Sequence, residues 1–263
     1  MVATLSVGEG ARLDDQRAAF DVLAYALTRC YEDRVTGTLR IVGNAGGLFH
    51  LRDGVVIAVE SSGSPGVETL LLSSGRVSAE DWTAALVESV ETRCLQSALV
   101  ARGTVGSAEV QLVAMAAIQD GAFAAAAGDV ERYVVGESAD VPLLPASGGV
   151  TPELLLSETA RRLDAVASLP FPVSPYRDRV VPTGGAESAA VAAEWREIIA
   201  QATGRRNARD IAFVVGRSLY SVTVEISRML GEGLLEIASP AASFSIEHWG
   251  LTALRSRAET GPV

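Results

Sequence analysis

The sequence predicts an α+β protein, in which a small antiparallel β-meander packed with helices precedes a C-terminal winged helix-turn-helix domain. Three strand-like runs follow one another closely, Thr38 to Val42, Leu48 to Arg52 and Val55 to Glu60. The last two are joined by Asp53-Gly54, a strong hairpin signal between β-branched runs. The segments on either side carry apolar residues at helical spacing. Near the end of the chain the order becomes helix, turn, helix, glycine break, strand.

The first helix spans Asp15 to Tyr31, with Phe20, Leu23, Leu27 and Cys30 on one stripe that would cover one face of the meander. Gly43 to Gly47 separates the first two strands. Because this glycine-rich run joins strand to strand, it does not read as a phosphate cradle. Pro65-Gly66 opens a helix from Val67 to Ser73. An internal echo follows at an offset of 28 residues: Gly75 matches Gly103, Val77 matches Val105, Asp81 matches Glu109 and Trp82 matches Val110. Each unit reads as helix, glycine stop, turn and next helix. Two units are too few for a solenoid and suit a helical layer beside the sheet.

Val110 to Ala127 is apolar and alanine-rich but is cut by Gln119, Asp120 and Gly121, so a buried helix is expected rather than a membrane span. The pattern weakens after Phe123, with a short strand near Arg132 to Val135. Thr151-Pro152-Glu153 is a helix start, with an N-cap residue, proline at the first position and an acid in the first turn. That helix turns Arg161, Arg162 and Asp164 outward. Pro170, Pro172, Pro175 and Pro182, with Gly184-Gly185, make an extended connector. The expected division is an interaction or sensory domain over residues 1–168, a linker over 169–186, the winged helix-turn-helix over 187–240 and an extension over 241–263.

Within the C-terminal domain, Glu187 to Ala202 is read as the first helix, anchored by Trp195, Ile198 and Ile199. Ala208 to Val215 is the second, with Ile211, Val214 and Val215 inward. The helix starting at Ser218 turns Leu219, Val222, Ile226, Met229 and Leu230 inward and ends at Gly231-Glu232-Gly233. Its outward set is Tyr220, Ser221, Thr223, Glu225, Ser227 and Arg228. The segment also carries Arg205, Arg206, Arg209 and Arg217. Its five arginines face only Asp210 and Glu225, inside a chain of net charge −10. A basic island of this kind suits phosphate contact. The candidate DNA-contacting residues are therefore Arg205, Arg206, Arg209, Arg217, Tyr220, Ser221, Thr223 and Arg228; the competing readings are arginines that merely form the solvated faces of two helices and a winged helix used for protein contact.

Composition removes several classes of chemistry. All 22 basic residues are arginine, so neither a phosphate-loop lysine nor a Schiff-base lysine exists. His50 and His248 are the only histidines, and no His/Cys/carboxylate cluster has metal-ligand spacing. Gly63-Ser64-Pro65-Gly66 breaks the nucleophile-elbow pattern. Cys30 and Cys94 form no CxxC, and Cys30 is expected as a buried thiol. The N-terminal segment lacks a basic region followed by an apolar run, so no signal peptide is expected and a cytoplasmic location follows.

The span from about Phe20 to Val180 resembles the PATAN domain of bacterial regulatory proteins. The resemblance rests on Thr36-Gly37-Thr38-Leu39, Leu51-Arg52-Asp53-Gly54, Val56-Ile57-Ala58, Gly66-Val67-Glu68-Thr69-Leu70 and Leu155-Leu156-x-Glu158-x-x-Arg161-Arg162-x-Asp164. Ala165 departs from the pattern, where an acidic residue normally follows. The C-terminal part resembles the winged helix that often follows this domain, through Glu194-Trp195, Thr203-Gly204-Arg205-Arg206, Ala208-Arg209-Asp210-Ile211-Ala212 and Gly233-Leu234-Leu235. Its ending also resembles a winged-helix family encoded beside small Ras-like GTPases and roadblock proteins in actinobacteria.

The resemblance implies a non-enzymatic regulatory protein without cofactor or metal. The first expectation is a transcriptional regulator that binds DNA and receives a partner or signal through its N-terminal domain. The alternative is an adaptor for a small GTPase or roadblock protein, with Arg161 and Arg162 as candidate partner contacts. A third reading is a small-molecule sensor. No membrane partner is expected, and the sequence leaves the oligomeric state open.

Overall fold

The computed structural model describes residues 8–137, 142–186 and 191–238, with side chains from residue 17 onward. A long helix, α1 (Gly8–Glu32), leads into β1 (Gly37–Asn44), β2 (Gly47–Arg52) and β3 (Val55–Glu60). Each strand pairs antiparallel with the next, as the hairpin signals predict. Asp53 and Gly54 both take positive φ, 50° and 80°, the conformation of a tight hairpin turn whose twist matches its strands. A Cβ on Gly54 would lie 2.6 Å from the Tyr31 Cα, so glycine is required there for a second reason.

Four short elements form the helical layer, α2 (Val67–Ser73), α3 (Ala79–Thr92), α4 (Leu95–Ala101) and the start of α5 (Ser107–Ala126). The 28-residue echo is structural. Gly75 and Gly103 both take left-handed φ, 73° and 71°. Val77 and Val105 are buried behind them, and Trp82 and Val110 are buried in the following helices. These residues share one hydrophobic cluster with Leu71 and Leu99.

The meander gains a fourth strand. β4 (Asp129–Gly136) pairs antiparallel with β1 and gives the order β3-β2-β1-β4. It is longer than the short run expected near Arg132 to Val135, and almost every residue is exposed, so no alternation marks it. Leu39, Ile41, Phe49, Leu51, Val56 and Val59 face Leu23, Leu27 and Cys30 of α1 and Ala114, Ile118 and Ala122 of α5 across the principal core.

Beyond β4, α6 (Pro152–Ala167) packs on α5, followed by β5 (Val180–Pro182), α7 (Ala193–Gln201), α8 (Ala208–Val215), α9 (Leu219–Gly231) and β6 (Leu235–Ile237). The proline- and glycine-rich stretch is anchored at intervals, with Val173, Val180 and Ala186 buried, β5 paired antiparallel to β6, and Pro170, Phe171, Pro172, Gly184 and Gly185 exposed. The C-terminal helices close a cluster that includes Phe123, Ala124 and Ala127 at the end of α5 and Val166 of α6. α7 begins at Ala193 rather than Glu187; residues 187–190 lie outside the described residues, as do the 241–263 extension and His248. Trp195 is half-buried against the C-terminal cluster, whose centre includes Ile198 and Ile226. On α8, Val214 is exposed, and its inward place is taken by Ala208 and Ala212 beside Ile211. Among the described residues no helix is long and apolar enough to cross a membrane.

Candidate functional site

The most concentrated buried polar chemistry lies where α9 meets α5 and α6. Helix α9 starts at Ser218, whose hydroxyl accepts from the Ser221 amide. The two amides before that one, on Leu219 and Tyr220, donate to Asp120 of α5, at 2.7 Å to Oδ2 and 3.0 Å to Oδ1. A carboxylate from a different helix thus completes the N-terminal cap, where unsatisfied amides and the helix dipole favour negative charge. Asp120 has no solvent exposure. Burial raises its pKa to about 6, against the opposing pull of the two amides and of Arg162.

Arg162 crosses from α6 to close the site. Its guanidinium stands 3.8 Å from Asp120, donates to Glu158 at 2.7 Å and to Gln119 at 2.9 Å, and lies 5.0 Å from the centre of the Tyr220 ring. Phe123 packs edge-to-face with the same ring, with centroids 5.5 Å apart. Glu158 also receives two bonds from Arg161, at 2.7 and 2.8 Å. The Arg161 bonds are the main cause of the fall of the Glu158 pKa to about 2. The Arg161-Arg162 pair is therefore divided: Arg161 is exposed but engaged, and Arg162 is nearly enclosed.

Two further contacts fix the same junction. Tyr176 donates its hydroxyl to the Ala124 carbonyl at 2.7 Å, and burial pushes the phenol well above its ordinary pKa. Gly216, between α8 and α9, takes φ 62°, and a Cβ there would lie 2.6 Å from the Ser74 amide nitrogen.

The outward face expected of α9 is corrected at two residues. Thr223 and Ser227 are buried. Thr223 donates back to the Leu219 carbonyl at 2.8 Å and Ser227 donates to the Phe171 carbonyl at 2.6 Å, so both hydroxyls are satisfied inside the protein. Tyr220 and Ser221 are half-buried. Glu225 accepts from Arg217, and its other oxygen is buried without a partner among the described residues. Arg209 donates to the Ser62 carbonyl at 2.7 Å, and Arg206 donates to Gln201. Of the eight candidate DNA contacts, Arg205 and Arg228 are exposed and belong to no ion pair among the described residues. The structure does not gather the eight onto one open surface.

Other chemistry is sparse. Among the described residues no group of three or more His, Cys, Asp or Glu side chains could hold a metal ion. His50 is buried, with Nε2 3.0 Å from Glu60 Oε1. An open hollow of about 560 Å³ lies over the Gly43–Gly47 turn, bordered by Arg40, Glu60, Ser61 and Ser62. Two of its carbonyls, on Gly46 and Ala45, are already taken by the Ser61 and Ser62 hydroxyls. Cys30 is a buried free thiol and Cys94 an exposed one.

Sequence reading missed the role of Asp120, although a visible signal was present: it is the one carboxylate in the apolar, alanine-rich stretch from Val110 to Ala127. Its partners lie about a hundred positions away, and nothing in the local pattern names them. No protein-family model, curated protein or solved structure significantly matches the chain.

Proposed function

We propose that this chain is a non-enzymatic regulatory adaptor that works through protein contacts, with its C-terminal helices docked on its N-terminal α+β part. In this reading residues 1–168 receive a partner or signal, 169–186 connect, and 187–240 form a winged helix-turn-helix used as a docking module. One observation carries it. The first-turn amides of α9, at the end that would enter a DNA groove, are bonded to the buried Asp120. The PATAN-like motifs support the regulatory class, and the resemblance of the Gly233-Leu234-Leu235 ending to a winged-helix family encoded beside small GTPases and roadblock proteins suggests such a partner.

A second reading, a DNA-binding transcriptional regulator, is favoured by Arg205 and Arg228, which are exposed and in no ion pair among the described residues. It requires α9 to leave Asp120 before Tyr220 and Ser221 can reach base edges. Fluorescence anisotropy with labelled random and native upstream duplexes at low salt separates the two. The adaptor reading expects no saturable binding by the wild type or by Asp120→Ala. Sequence-selective binding by the wild type overturns it, and binding gained only in Asp120→Ala replaces it with the second reading.

A further inference from the structure

Among the described residues the four-stranded sheet is closed at one edge and open at the other. Along β3, Val56 and Val150 exchange backbone bonds at 3.0 and 2.8 Å, and Ala146 donates to Ile57. Beyond β4 no described residue pairs. An open edge is a template for another strand, and natural edges are commonly guarded by charge, proline or bulges. The bulge of β4 lies at its beginning, where the register with β1 shifts between Val42 and Gly43 and Glu131 leaves the ladder. From Arg132 to Gly136 the pairing is regular, with one charge and no proline. Tyr133 and Val135 share the helix side and are 37% and 45% exposed, while Val134 on the other side is 48% exposed. Tyr25 of α1, 58% exposed, stands beside Tyr133 with ring centres 6.2 Å apart.

We propose that this edge pairs with the same edge of a second copy of the chain, antiparallel about a two-fold axis at Val134, giving one continuous eight-stranded sheet. An axis perpendicular to the sheet keeps every residue on its own face, so the centre must fall on a residue. Centring on Val134 sets Val134 against itself, Tyr133 against Val135 twice and Arg132 against Gly136. Aromatic and β-branched residues are favourable cross-strand neighbours. Centring on Arg132 stacks two guanidinium groups, and centring on Tyr133 pulls the bulged Glu131 into the ladder. The Val134 register sets Tyr133, Val134 and Val135 against one another and opposes no like charges within the regular segment. A strand edge buries less than the roughly 1,000 Å² of a specific interface, and Tyr25 of each copy extends the contact beside the axis. Each copy carries net charge −10, so added salt strengthens the association by screening.

Sedimentation of the full chain tests the proposal. The wild type is expected to be a reversible dimer whose dissociation constant falls with salt. Val134→Lys, which places like charges across the axis, is expected to weaken it roughly tenfold or more. The thermal transition of that variant's monomer reports whether the exposed site leaves the fold intact. In a Cys94→Ser background, Val134→Cys is expected to form an oxidised dimer, because opposed Cα atoms about 5 Å apart lie within disulfide reach. Arg132→Cys is expected to form none, since its two copies lie four residues, about 13 Å, apart along the strands. A monomeric wild type overturns the proposal. So does a dimer that Val134→Lys leaves unchanged, or one that crosslinks equally through both positions.

Discussion

Asp120 is a carboxylate with alanine and glycine beyond it, and its position is justified by two amides that would otherwise be buried and unpaired. Asp120→Ala leaves both without an acceptor and removes one of the charges facing Arg162. It is expected to cost about 3 kcal/mol, read from urea midpoints at unchanged m-value. Asp120→Asn keeps one acceptor and is expected to cost less. Its pH dependence has a definite sign. The unfolded chain releases the Asp120 proton near 3.8, whereas the folded chain holds it to about 6. Between those values the native state binds more protons, so this group's contribution to stability falls as pH rises and is constant above about 6. Glu158 acts in the other direction. Its folded pKa is about 2, so its contribution is complete above the ordinary 4.5 and is lost as pH falls toward 2. The difference in urea midpoint between wild type and Asp120→Asn should therefore change between pH 3.8 and 6 and stay level above. A level difference throughout would show that the carboxylate titrates as an ordinary surface acid.

At the scale of elements, Gly216 sets how α8 and α9 meet the helical layer. Gly216→Ala would need a left-handed conformation and would press on the Ser73–Ser74 backbone. It is expected to lose more than about 1 kcal/mol, with the thermal midpoint as the readout. Ile226→Ala, at a fully buried site on α9, is expected to cost about 2–5 kcal/mol. The hairpin turn, the α1 stripe, the 28-residue echo and the inner face of α9 were legible because each rests on local signals, namely turn glycines and regular apolar spacing. β4 was only partly legible, since an edge strand exposed on both sides has no alternation to read. The outer face of α9 was misread at Thr223 and Ser227. Small hydroxyl residues look solvent-facing in a sequence, and only the fold supplies the carbonyls that let them turn inward. The docking of α9 was illegible because the bonds to Asp120 join residues about a hundred positions apart.

At the scale of the molecule, three hydrophobic clusters meet on one helix. Ala114, Ile118 and Ala122 of α5 belong to the sheet core, Val110, Val113 and Ala117 to the helical layer, and Phe123, Ala124 and Ala127 at its end to the C-terminal cluster. The small side chains permit this close approach. At Gly121 a Cβ would already lie 2.5 Å from Val59. Clusters that share one element should melt together, so calorimetry is expected to show a single transition with equal calorimetric and van't Hoff enthalpies. Two resolved transitions would mean that the C-terminal helices hold their own core. The same arrangement constrains the chain during its synthesis. The sheet and its facing helices are nearly complete once β4 has left the ribosome, but Phe123, Ala124 and Ala127 wait for most of their cluster, which is finished only with β6 about a hundred residues later. At usual elongation rates that interval lasts roughly 5–20 s. During it the nascent chain carries a bare apolar end on α5, a surface suited to a chaperone until its own C-terminal helices arrive to cover it.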